Sequence, residues 1–442
     1  MRRTDELNLA HLKAAVDEAA HASLSGAGLD LRVLPSDDRA ASDAWAQSVA
    51  RGFLDRERSD EQSAHSFESA GSGRRLGVYD PSGPMPEVPV GTFASWIGDL
   101  SVPGDAEVTA CAISAVTVAQ THHRRGIARA MMQGELNTAA RLGVPVATLT
   151  VSESTLYGRY GFAPAAAAAN WRIDRRRAGW LGPLPSGRFD YISRERWAAL
   201  APALHERVRR HAPGELSMPA SHWTRFARTH PGAHEPGAVR AVQYTDDAGT
   251  VTGLVLYTVQ ENHDDYTKSG AQVQWLVADG PDAYAALWHF LLHLDLVGEL
   301  RAGELSVDEP LWWLIADQRA AQVSVTDHHY VRVLDVPAAL EARRYQAADV
   351  IDLTVTDPLG HAQGRWVLDV DESGQGSVHP LTGDSPQGAV RVGLGVQELS
   401  AAYLGGVSLA TLAYAGRIET NDAFAAARVF AWPVPPRLSY WY

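Results

Sequence analysis

The stretch from residue 106 to residue 162 constrains the fold more than any other part of the chain. It contains an apolar segment rich in β-branched residues, AEVTACAISAVTV, then an amphipathic segment that ends at Gly143, then PVATLTV. Strands favour β-branched residues, and apolar residues at helical spacing indicate a helix packed on a core. The order strand, helix, strand predicts a β-α-β unit, followed by a short helix or turn at STLYGRYGF.

The turn that opens this helix, THHRRG at residues 121–126, has the composition of an anion site. The first turn of a helix has N–H groups without intrahelical partners, and the helix dipole adds partial positive charge there. Gly126 and Ala128 leave room for a ligand at the backbone, and Arg124 and Arg125 stand beside it. The segment predicts a pyrophosphate cradle, with a basic surface turn as the alternative. It has neither the P-loop nor the G-x-G-x-x-G pattern.

Elsewhere the hydrophobic patterns predict a mixture of helices and strands. Helices are predicted at 4–24, 194–212, 219–228, 396–404 and 421–427 and around Trp45 and Trp288, and strands at 29–34, 76–79, 88–97, 239–244, 252–259, 270–277, 350–356, 365–370 and 389–393. Residues 55–75 are predicted to be a loop, and AAAAA at 165–169 a helix or a strand edge. The mixed pattern predicts an α+β protein.

Charge and cysteine content narrow the function classes. The 39 Lys and Arg against 52 Asp and Glu give a formal charge of −13, which argues against general binding to nucleic acid or anionic membranes. The single cysteine, Cys111, rules out internal disulfides and a cysteine-based zinc cluster. No apolar run reaches the ~20 residues of a membrane span, and the N-terminus lacks a signal-peptide core. We therefore expect a cytoplasmic multidomain protein.

The histidine pairs do not predict a metal site. His289 and His293 share a helix face, but Phe290 occupies the position of the glutamate in H-E-x-x-H and no third ligand is evident. We interpret them as partly buried helix residues and expect no metal. The pairs at 122–123 and 328–329 are predicted to lie in loops.

The motifs V-T-V-A-x-T-H-x-R-R-G and, further on, S-E-x-x-x-Y-G-R-Y-G-F resemble the Gcn5-related N-acetyltransferases, and more closely their enhanced intracellular survival (Eis) subfamily. The resemblance spans residues 29–442. It implies tandem acetyltransferase domains followed by a sterol-carrier-protein-like α+β domain. The implied segments are a helical extension at 1–28, a catalytic domain at 29–173, a degenerate acetyltransferase-like domain at 174–328 and the sterol-carrier-like domain at 329–442.

The resemblance also implies an acetyl-CoA site. The residues expected to bind the cofactor are Val116, Thr117, Val118, Arg124, Arg125, Gly126, Ile127, Ala128, Arg129, Ser152 and Glu153. His123 departs from the family signature at its first position, which puts one phosphate contact in doubt. In the second domain the matching turn contains Asp279, Pro281 and Asp282, and carboxylates there would repel a pyrophosphate.

The catalytic roles follow from the resemblance too. Tyr157 matches the family's general acid, since a phenol with pKa ~10 stays protonated at neutral pH; Tyr160 matches an aromatic packing position. The terminal carboxylate of Tyr442 is expected to act as a base or an amine anchor. With an ordinary pKa of ~3.5 it is a weak base unless desolvated. Asp55 and Trp96 are candidates for the acceptor pocket.

Together these features predict an N-acetyltransferase that moves an acetyl group to primary amines of a polycationic acceptor. The resemblance implies that the acceptors are aminoglycosides, other polyamines and sometimes protein lysines. It further implies direct attack in a ternary complex, and a hexamer. Two alternatives stay open. One is a lipid or sterol carrier that uses the C-terminal groove, and the other is a coenzyme A-binding sensor or scaffold without turnover.

Overall fold

The computed structural model describes residues 3–68 and 73–442. The helices in these ranges are α1 (Arg3–Lys13), α2 (Glu18–Ser25), α3 (Arg39–Gly52), α4 (Asp60–Glu68), α5 (Ile127–Arg141), α6 (Arg175–Ala178), α7 (Arg194–Arg209), α8 (Ala220–Phe226), α9 (Pro281–Leu292), α10 (Leu311–Leu314), α11 (Val336–Ala342), α12 (Val396–Ala402), α13 (Leu409–Tyr414) and α14 (Ala423–Phe430). The strands are β1 (Asp30–Val33), β2 (Arg74–Tyr79), β3 (Gly91–Val102), β4 (Ala106–Val118), β5 (Val146–Thr150), β6 (Ala163–Asp174), β7 (Arg188–Ile192), β8 (Val239–Thr245), β9 (Val251–Gln260), β10 (Ser269–Ala278), β11 (Val297–Leu305), β12 (Ala321–Val333), β13 (Asp349–Thr356), β14 (Gly364–Val370), β15 (Gly376–Pro380), β16 (Val390–Gly395) and β17 (Glu419–Thr420).

These elements form two compact units. Unit 1 takes in the chain up to Ala165, then His329–Pro433, and finally Tyr442. Unit 2 consists of Ala166–His328 and Val434–Trp441. Among the described residues, none of the helices combines the length and the apolarity of a membrane span.

The first sheet of unit 1 runs in the order β1-β2-β3-β4-β5-β12. Its neighbours pair antiparallel except β4 and β5, which are parallel and are joined by α5. The expected β-α-β unit is therefore present, with the crossover helix that a parallel pair requires. The inner face of α5 packs into the core through side chains such as Met131 and Leu136, both fully buried.

The second sheet of unit 1 runs in the order β15-β14-β13-β16-β17. β13 is central and pairs antiparallel with β14 and parallel with β16. Its alternating pattern buries Ile351, Leu353 and Val355, as period-two alternation predicts for a half-buried strand. This region also contains α11 to α14.

Unit 2 repeats the arrangement with the strand order β6-β11-β10-β9-β8-β7. β10 and β11 form a parallel pair, and α9 connects them. Three tryptophans, Trp197, Trp223 and Trp275, pack together in one of its cores at ring distances of 5.2 to 6.2 Å. Unit 2 therefore contains a second sheet with its own crossover helix.

Sequence predictions of local structure differ from the structure in several places. The helix predicted at 4–24 is broken between α1 and α2, because the buried Arg74 guanidinium binds the Ala14 and Ala15 carbonyls and the Asp17 carboxylate caps α2. Residues 60–68, within the predicted loop at 55–75, form α4; residues 69–72 lie outside the described ranges. The alanine run at 165–169, predicted to be a helix or a strand edge, lies in the strand β6 and is mostly buried, so only the helix alternative is wrong.

The signal for α4 was present in the sequence. Ser59 and Gln62 form a reciprocal capping pair: the Ser59 amide donates to the Gln62 side chain at 3.0 Å, and the Gln62 amide donates to Ser59 Oγ at 3.3 Å. This S-x-x-Q spacing is the capping-box pattern that starts many helices.

The N-terminal helices are part of unit 1, and a buried polar cluster attaches them. His11 on α1 is fully buried and hydrogen-bonds Glu135 on α5 at 2.5 Å. Glu135 also accepts from Ser95 Oγ at 2.6 Å and pairs with Arg74 at 3.4 Å. Burial pushes the pKa of the Glu135 carboxyl up, but His11, Arg74 and Ser95 more than offset this, so the pKa is lower than usual. The carboxylate is therefore charged inside the core.

We expect Glu135→Gln to destabilise unit 1 by about 3–5 kcal/mol at pH 7, because it leaves Arg74 buried without its carboxylate. The folded pKa lies below the unfolded value of ~4.3, so the carboxylate stabilises the fold above that pH and loses this contribution as the pH falls. In thermal unfolding, the gap in melting temperature between the wild-type protein and Glu135→Gln should narrow below about pH 4. Glu57→Gln, at an exposed position, is the control; a gap independent of pH would contradict this account.

Candidate active site

The parallel pairing of β4 and β5 stops before β4 ends. Residues 110–113 of β4 pair with residues 146–149 of β5, whereas β4 continues to Val118. Just beyond the pairing, the register between β3 and β4 shifts and Ala115 takes a positive φ of 50°. Such a bulge bends a strand and increases its local twist. The backbone at the end of β4 is therefore not paired with β5, and it can hydrogen-bond an extended ligand.

The turn at the start of α5 follows directly. Gly126 caps the helix with φ +80°, a left-handed conformation that glycine adopts without strain, and nothing lies within 4 Å of where a Cβ would stand. Ile127 is buried and fixes the helix start in the core, while Ala128 and Arg129 are exposed. The unpartnered N–H groups of the first helical turn thus face open space, as an anion site requires.

The two arginines of the turn have different surroundings. Arg125 pairs with Asp80 at 3.2 Å and donates to the Ala27 carbonyl at 3.2 Å. His122 contacts the same Asp80 oxygen at 3.1 Å. Hydrogen bonds from Ser82 and His122, with Arg125, hold the pKa of Asp80 well below its usual range. Arg124 is exposed, and within the described ranges no carboxylate pairs with it. Its charge is therefore available to a ligand.

His123 occupies the position where the sequence departs from the family signature. Its ring Nε2 lies 3.0 Å from the Val118 carbonyl oxygen, so the ring N–H donates to the end of β4. The imidazole is directed at the strand and fixes the turn against it. This contact engages one of the backbone groups that the sequence assigned to the cofactor.

Tyr157 lies after the exposed segment 152–156, which contains Ser152 and Glu153. Its ring is partly buried against the core and meets Phe162 edge to face at 6.3 Å. Burial raises the pKa of the phenol, and the nearby Glu153 charge and Tyr160 raise it further. Tyr157 is therefore protonated at neutral pH and can act as a proton donor.

Side chains of the C-terminal part of unit 1 hold the turn that contains Tyr157. Arg332, fully buried on β12, donates to the Tyr160 carbonyl at 2.7 Å and pairs with Asp357 at 2.7 Å. Gln397 donates to the Gly158 carbonyl. Gly161 has φ +89°, and a Cβ there would lie 2.5 Å from the Arg332 Nε, so only glycine fits. The position of this turn depends on the buried Arg332–Asp357 pair.

Polar contacts hold residues 437–441 on unit 2. In unit 2, Ser439 donates to Glu215 at 3.1 Å, the Tyr440 hydroxyl donates to the Leu216 carbonyl at 2.9 Å, and Arg225 donates to the Trp441 carbonyl at 2.8 Å. Arg437 pairs with the same Glu215 at 3.3 Å. The tail is ordered by these polar contacts, and its aromatic residues are not frayed.

Tyr442 itself belongs to unit 1 and is 6% exposed. Thr150 Oγ1, at the end of β5, donates to a main-chain oxygen of Tyr442 at 2.8 Å. Trp96 meets the Tyr442 ring edge to face at 5.1 Å, so this predicted pocket residue lies beside the terminus. Asp55 is exposed in the segment after α3, with its amide bonded to the Ala50 carbonyl. The structure shows no contact between Asp55 and this group.

Several residues around the terminus and the turn were missed by sequence reasoning. Thr148, Thr150, Arg332 and Asp357 have no motif, and only the sheet register and the packing of the C-terminal part bring them to the site. His328 and His329, predicted to lie in a loop, are buried in β12. That prediction is wrong because two polar rings in a strand can be buried when each finds a hydrogen-bonding partner.

His289 is a half-buried residue of α9, as expected, whereas His293 caps the helix end and is exposed, so the prediction of a partly buried helix residue is wrong for His293. Their rings stack at 3.9 Å, and His293 Nδ1 lies 2.7 Å from the His289 carbonyl oxygen. Burial and the neighbouring His293 lower the pKa of His289.

The fold and site define a class, and comparison with known proteins supports it. Residues 38–165 and 214–333 each match a family described as an acetyltransferase (GNAT) domain, and residues 336–439 match a sterol carrier protein domain. The chain is thus an N-acetyltransferase with two GNAT domains followed by a sterol-carrier-protein-like domain, as the sequence predicted.

It belongs to the Eis-like N-acetyltransferases. It is 32% identical to the N-acetyltransferase Eis of Mycobacterium tuberculosis, covering 82% of this chain and 88% of that protein. An uncharacterized N-acetyltransferase of Streptomyces avermitilis is 37% identical over 90% of this chain and 94% of its own length. The crystal structure of Eis1 from Mycobacterium abscessus superposes with a TM-score of 0.78 at 29% identity, covering 94% of this chain and all of the other. These relatives confirm the predicted family and activity class.

GNAT acetyltransferases use acetyl-CoA, and the residues present fit it. The open left-handed glycine at the start of α5 and the unpartnered Arg124 suit a pyrophosphate. The end of β4, which pairs with β3 but no longer with β5, suits an amide-containing arm that lies along the strand.

We expect Arg332→Met to lower the free energy of unfolding by about 3–5 kcal/mol, because Asp357 would remain buried without its partner. The double variant Arg332→Met/Asp357→Asn should recover part of this loss in thermal unfolding. The matched control is Arg301→Met, which breaks an exposed pair with Glu299 and should cost under about 1 kcal/mol. Equal losses in the two single variants would contradict the assignment.

Proposed function

We propose that this N-acetyltransferase moves the acetyl group of acetyl-CoA to a primary amine of a polycationic acceptor by direct attack in a ternary complex. One observation carries the proposal. The terminal residue is bound by Thr150 at the end of β5, close in the chain to where the pairing of β4 and β5 stops. This contact supports a role for the terminal carboxylate where the two strands diverge, and Tyr157, protonated at neutral pH, belongs to the same unit.

The cofactor would be held at the start of α5 and along β4. Arg124, with the first-turn amides after Gly126, would hold the pyrophosphate, and Arg125 and Arg129 would add charge at its edge. Val116, Thr117 and Val118 would present backbone to the pantetheine arm, and Ser152 and Glu153 would border the gap. Acetyl-CoA supplies, when bound, the thioester whose carbonyl carbon is attacked.

Two groups of this chain would move the protons. Tyr157, kept neutral by burial, would donate its phenolic proton to the departing sulfur. The terminal carboxylate of Tyr442 would hold the cationic amine and accept its proton, directly or through water. Both groups belong to unit 1.

The acceptor class follows from charge and resemblance. The formal charge of −13 favours encounter with polycations such as aminoglycosides or other polyamines, and protein lysines are a further candidate. Trp96 beside the terminus would provide an aromatic wall for a cationic amine. Asp55, exposed after α3, is the weaker candidate. We propose a cytoplasmic homohexamer on the resemblance alone.

We propose that the second acetyltransferase-like domain binds no coenzyme. At the start of α9, Asp282 accepts from the Tyr244 hydroxyl at 2.8 Å and Asp279 pairs with Arg207 at 2.9 Å. The helix start is occupied by carboxylates with their own partners, which is unfavourable for a pyrophosphate.

The test is release of the coenzyme A thiol from acetyl-CoA with a panel of aminoglycosides, linear polyamines and lysine peptides. Turnover with the polycations supports the proposal and identifies the acceptor. Turnover confined to a neutral amine contradicts the acceptor class, and binding of acetyl-CoA without turnover on any member contradicts the proposed reaction.

We expect Tyr157→Phe to lower kcat at least about 100-fold, the range found for loss of a general acid, with the acetyl-CoA Kd unchanged. The matched control is Tyr160→Phe, since Tyr160 contributes its backbone carbonyl to Arg332 and its ring to the core. Tyr160→Phe should retain kcat within a few-fold. Equal losses in both variants would remove the acid role from Tyr157.

We also expect the two arginines of the turn to differ in acetyl-CoA binding. Arg124→Gln should weaken binding about tenfold or more, the effect of one charge-assisted hydrogen bond. Arg125→Gln should weaken it less, because Asp80 already neutralises much of that charge. Calorimetric Kd values of the two variants measure this, and a larger effect for Arg125→Gln would contradict it.

A further inference from the structure

Tyr442 is held by polar contacts both at its main-chain oxygen and at its phenol oxygen. Its main-chain oxygen accepts from Thr150 Oγ1 at 2.8 Å. Its phenol oxygen lies 2.7 Å from Thr148 Oγ1 and 3.2 Å from His329 Nε2. Thr148 and His329 are fully buried, so these are contacts inside the protein and not at its surface.

The sheet register explains how one residue reaches both threonines. Thr148 and Thr150 are two positions apart on β5 and therefore point to the same face, about 7 Å from one another. That spacing is close to the length of a tyrosine from its carboxylate to its hydroxyl. His329 is the cross-strand partner of Thr150 on β12, which places its ring on the same face. The three side chains form a binding site whose spacing matches a terminal tyrosine.

We propose that the Tyr442 hydroxyl, with Thr148 and His329, is a positioning device that sets the place of the terminal carboxylate. The inference rests on the proposed role of that carboxylate in the reaction. The hydroxyl group does not touch the substrates; it acts through the carboxylate at the other end of the same residue.

The surroundings of Tyr442 indicate that its hydroxyl, and not its ring alone, determines the position of the terminal carboxylate. Burial raises the pKa of the phenol far above its usual range, so it stays a neutral O–H. A phenylalanine would fill the same space beside Trp96 but would leave Thr148 and His329 without this partner. A ring held only by apolar contacts can shift along the strand face, because such contacts are non-directional. A shift would move the carboxylate away from Thr150.

The test compares two variants that each delete one side of the same hydrogen bond. Tyr442→Phe and Thr148→Val should each lower kcat about three- to tenfold, the effect of one buried hydrogen bond, and leave the acetyl-CoA Kd unchanged. The double variant should be no worse than Tyr442→Phe alone, because that change already removes the hydrogen bond that Thr148→Val deletes. Thr148→Ser, which keeps the hydroxyl, is the matched control and should retain kcat.

A chain that lacks Tyr442 separates this inference from the proposed function. If its loss abolishes turnover while Tyr442→Phe and Thr148→Val retain full kcat, the carboxylate acts but this anchor does not position it, and the inference is overturned. If the shortened chain keeps near-normal kcat, the carboxylate has no role and both fail. Multiplicative losses in the double variant, or a parallel fall in acetyl-CoA affinity, would also overturn the inference, since a general packing defect predicts them.

Discussion

The interruption of backbone pairing between β4 and β5 is the constraint on which the site depends. Two parallel strands that remained paired to their ends would satisfy each other's N–H and C=O groups and leave nothing for a ligand. Here the positive φ of Ala115 marks a bulge in β4 just after Ile113, so its last residues pair with β3 but not with β5, next to the start of α5. A strand edge and a helix N-terminus thus become one continuous polar surface, which suits a long cofactor with an amide arm and a pyrophosphate.

The C-terminal part of unit 1 supplies the support for this surface. The buried Arg332–Asp357 pair and Gln397 fix the turn that carries Tyr157, and the last residue of the chain reaches Thr150. Buried ion pairs contribute little net stability compared with apolar packing, but they specify geometry, because an unpaired partner is costly. A sterol-carrier-like domain can therefore serve as structural support for an acetyltransferase site, whatever its groove does in other proteins.

The charged and titratable groups on the two sides of the site have different surroundings. Arg124 keeps an uncompensated positive charge, while Arg125 is already bound to Asp80. On the other side the partly buried, protonated phenol of Tyr157 and the Tyr442 terminus lie in the same unit. Burial favours the neutral form of a tyrosine, so the donor needs no special partner. The carboxylate instead needs directional contacts to stay in place, and Thr150 provides one.

The sequence alone determined the β-α-β unit and the family, because these depend on local periodicity and on motifs of adjacent residues; from the same motifs it predicted the cradle turn and the role of Tyr157, which stay predictions. It also contains the Ser59–Gln62 capping pattern, which is sufficient to predict the start of α4. The break between α1 and α2, the burial of His329, and the contacts of Thr148, Thr150, Arg332 and Asp357 were decided only by the tertiary structure. Their partners lie far away in the chain, and no local pattern shows which buried polar group will meet another. Sheet register and the packing of the C-terminal part bring them together.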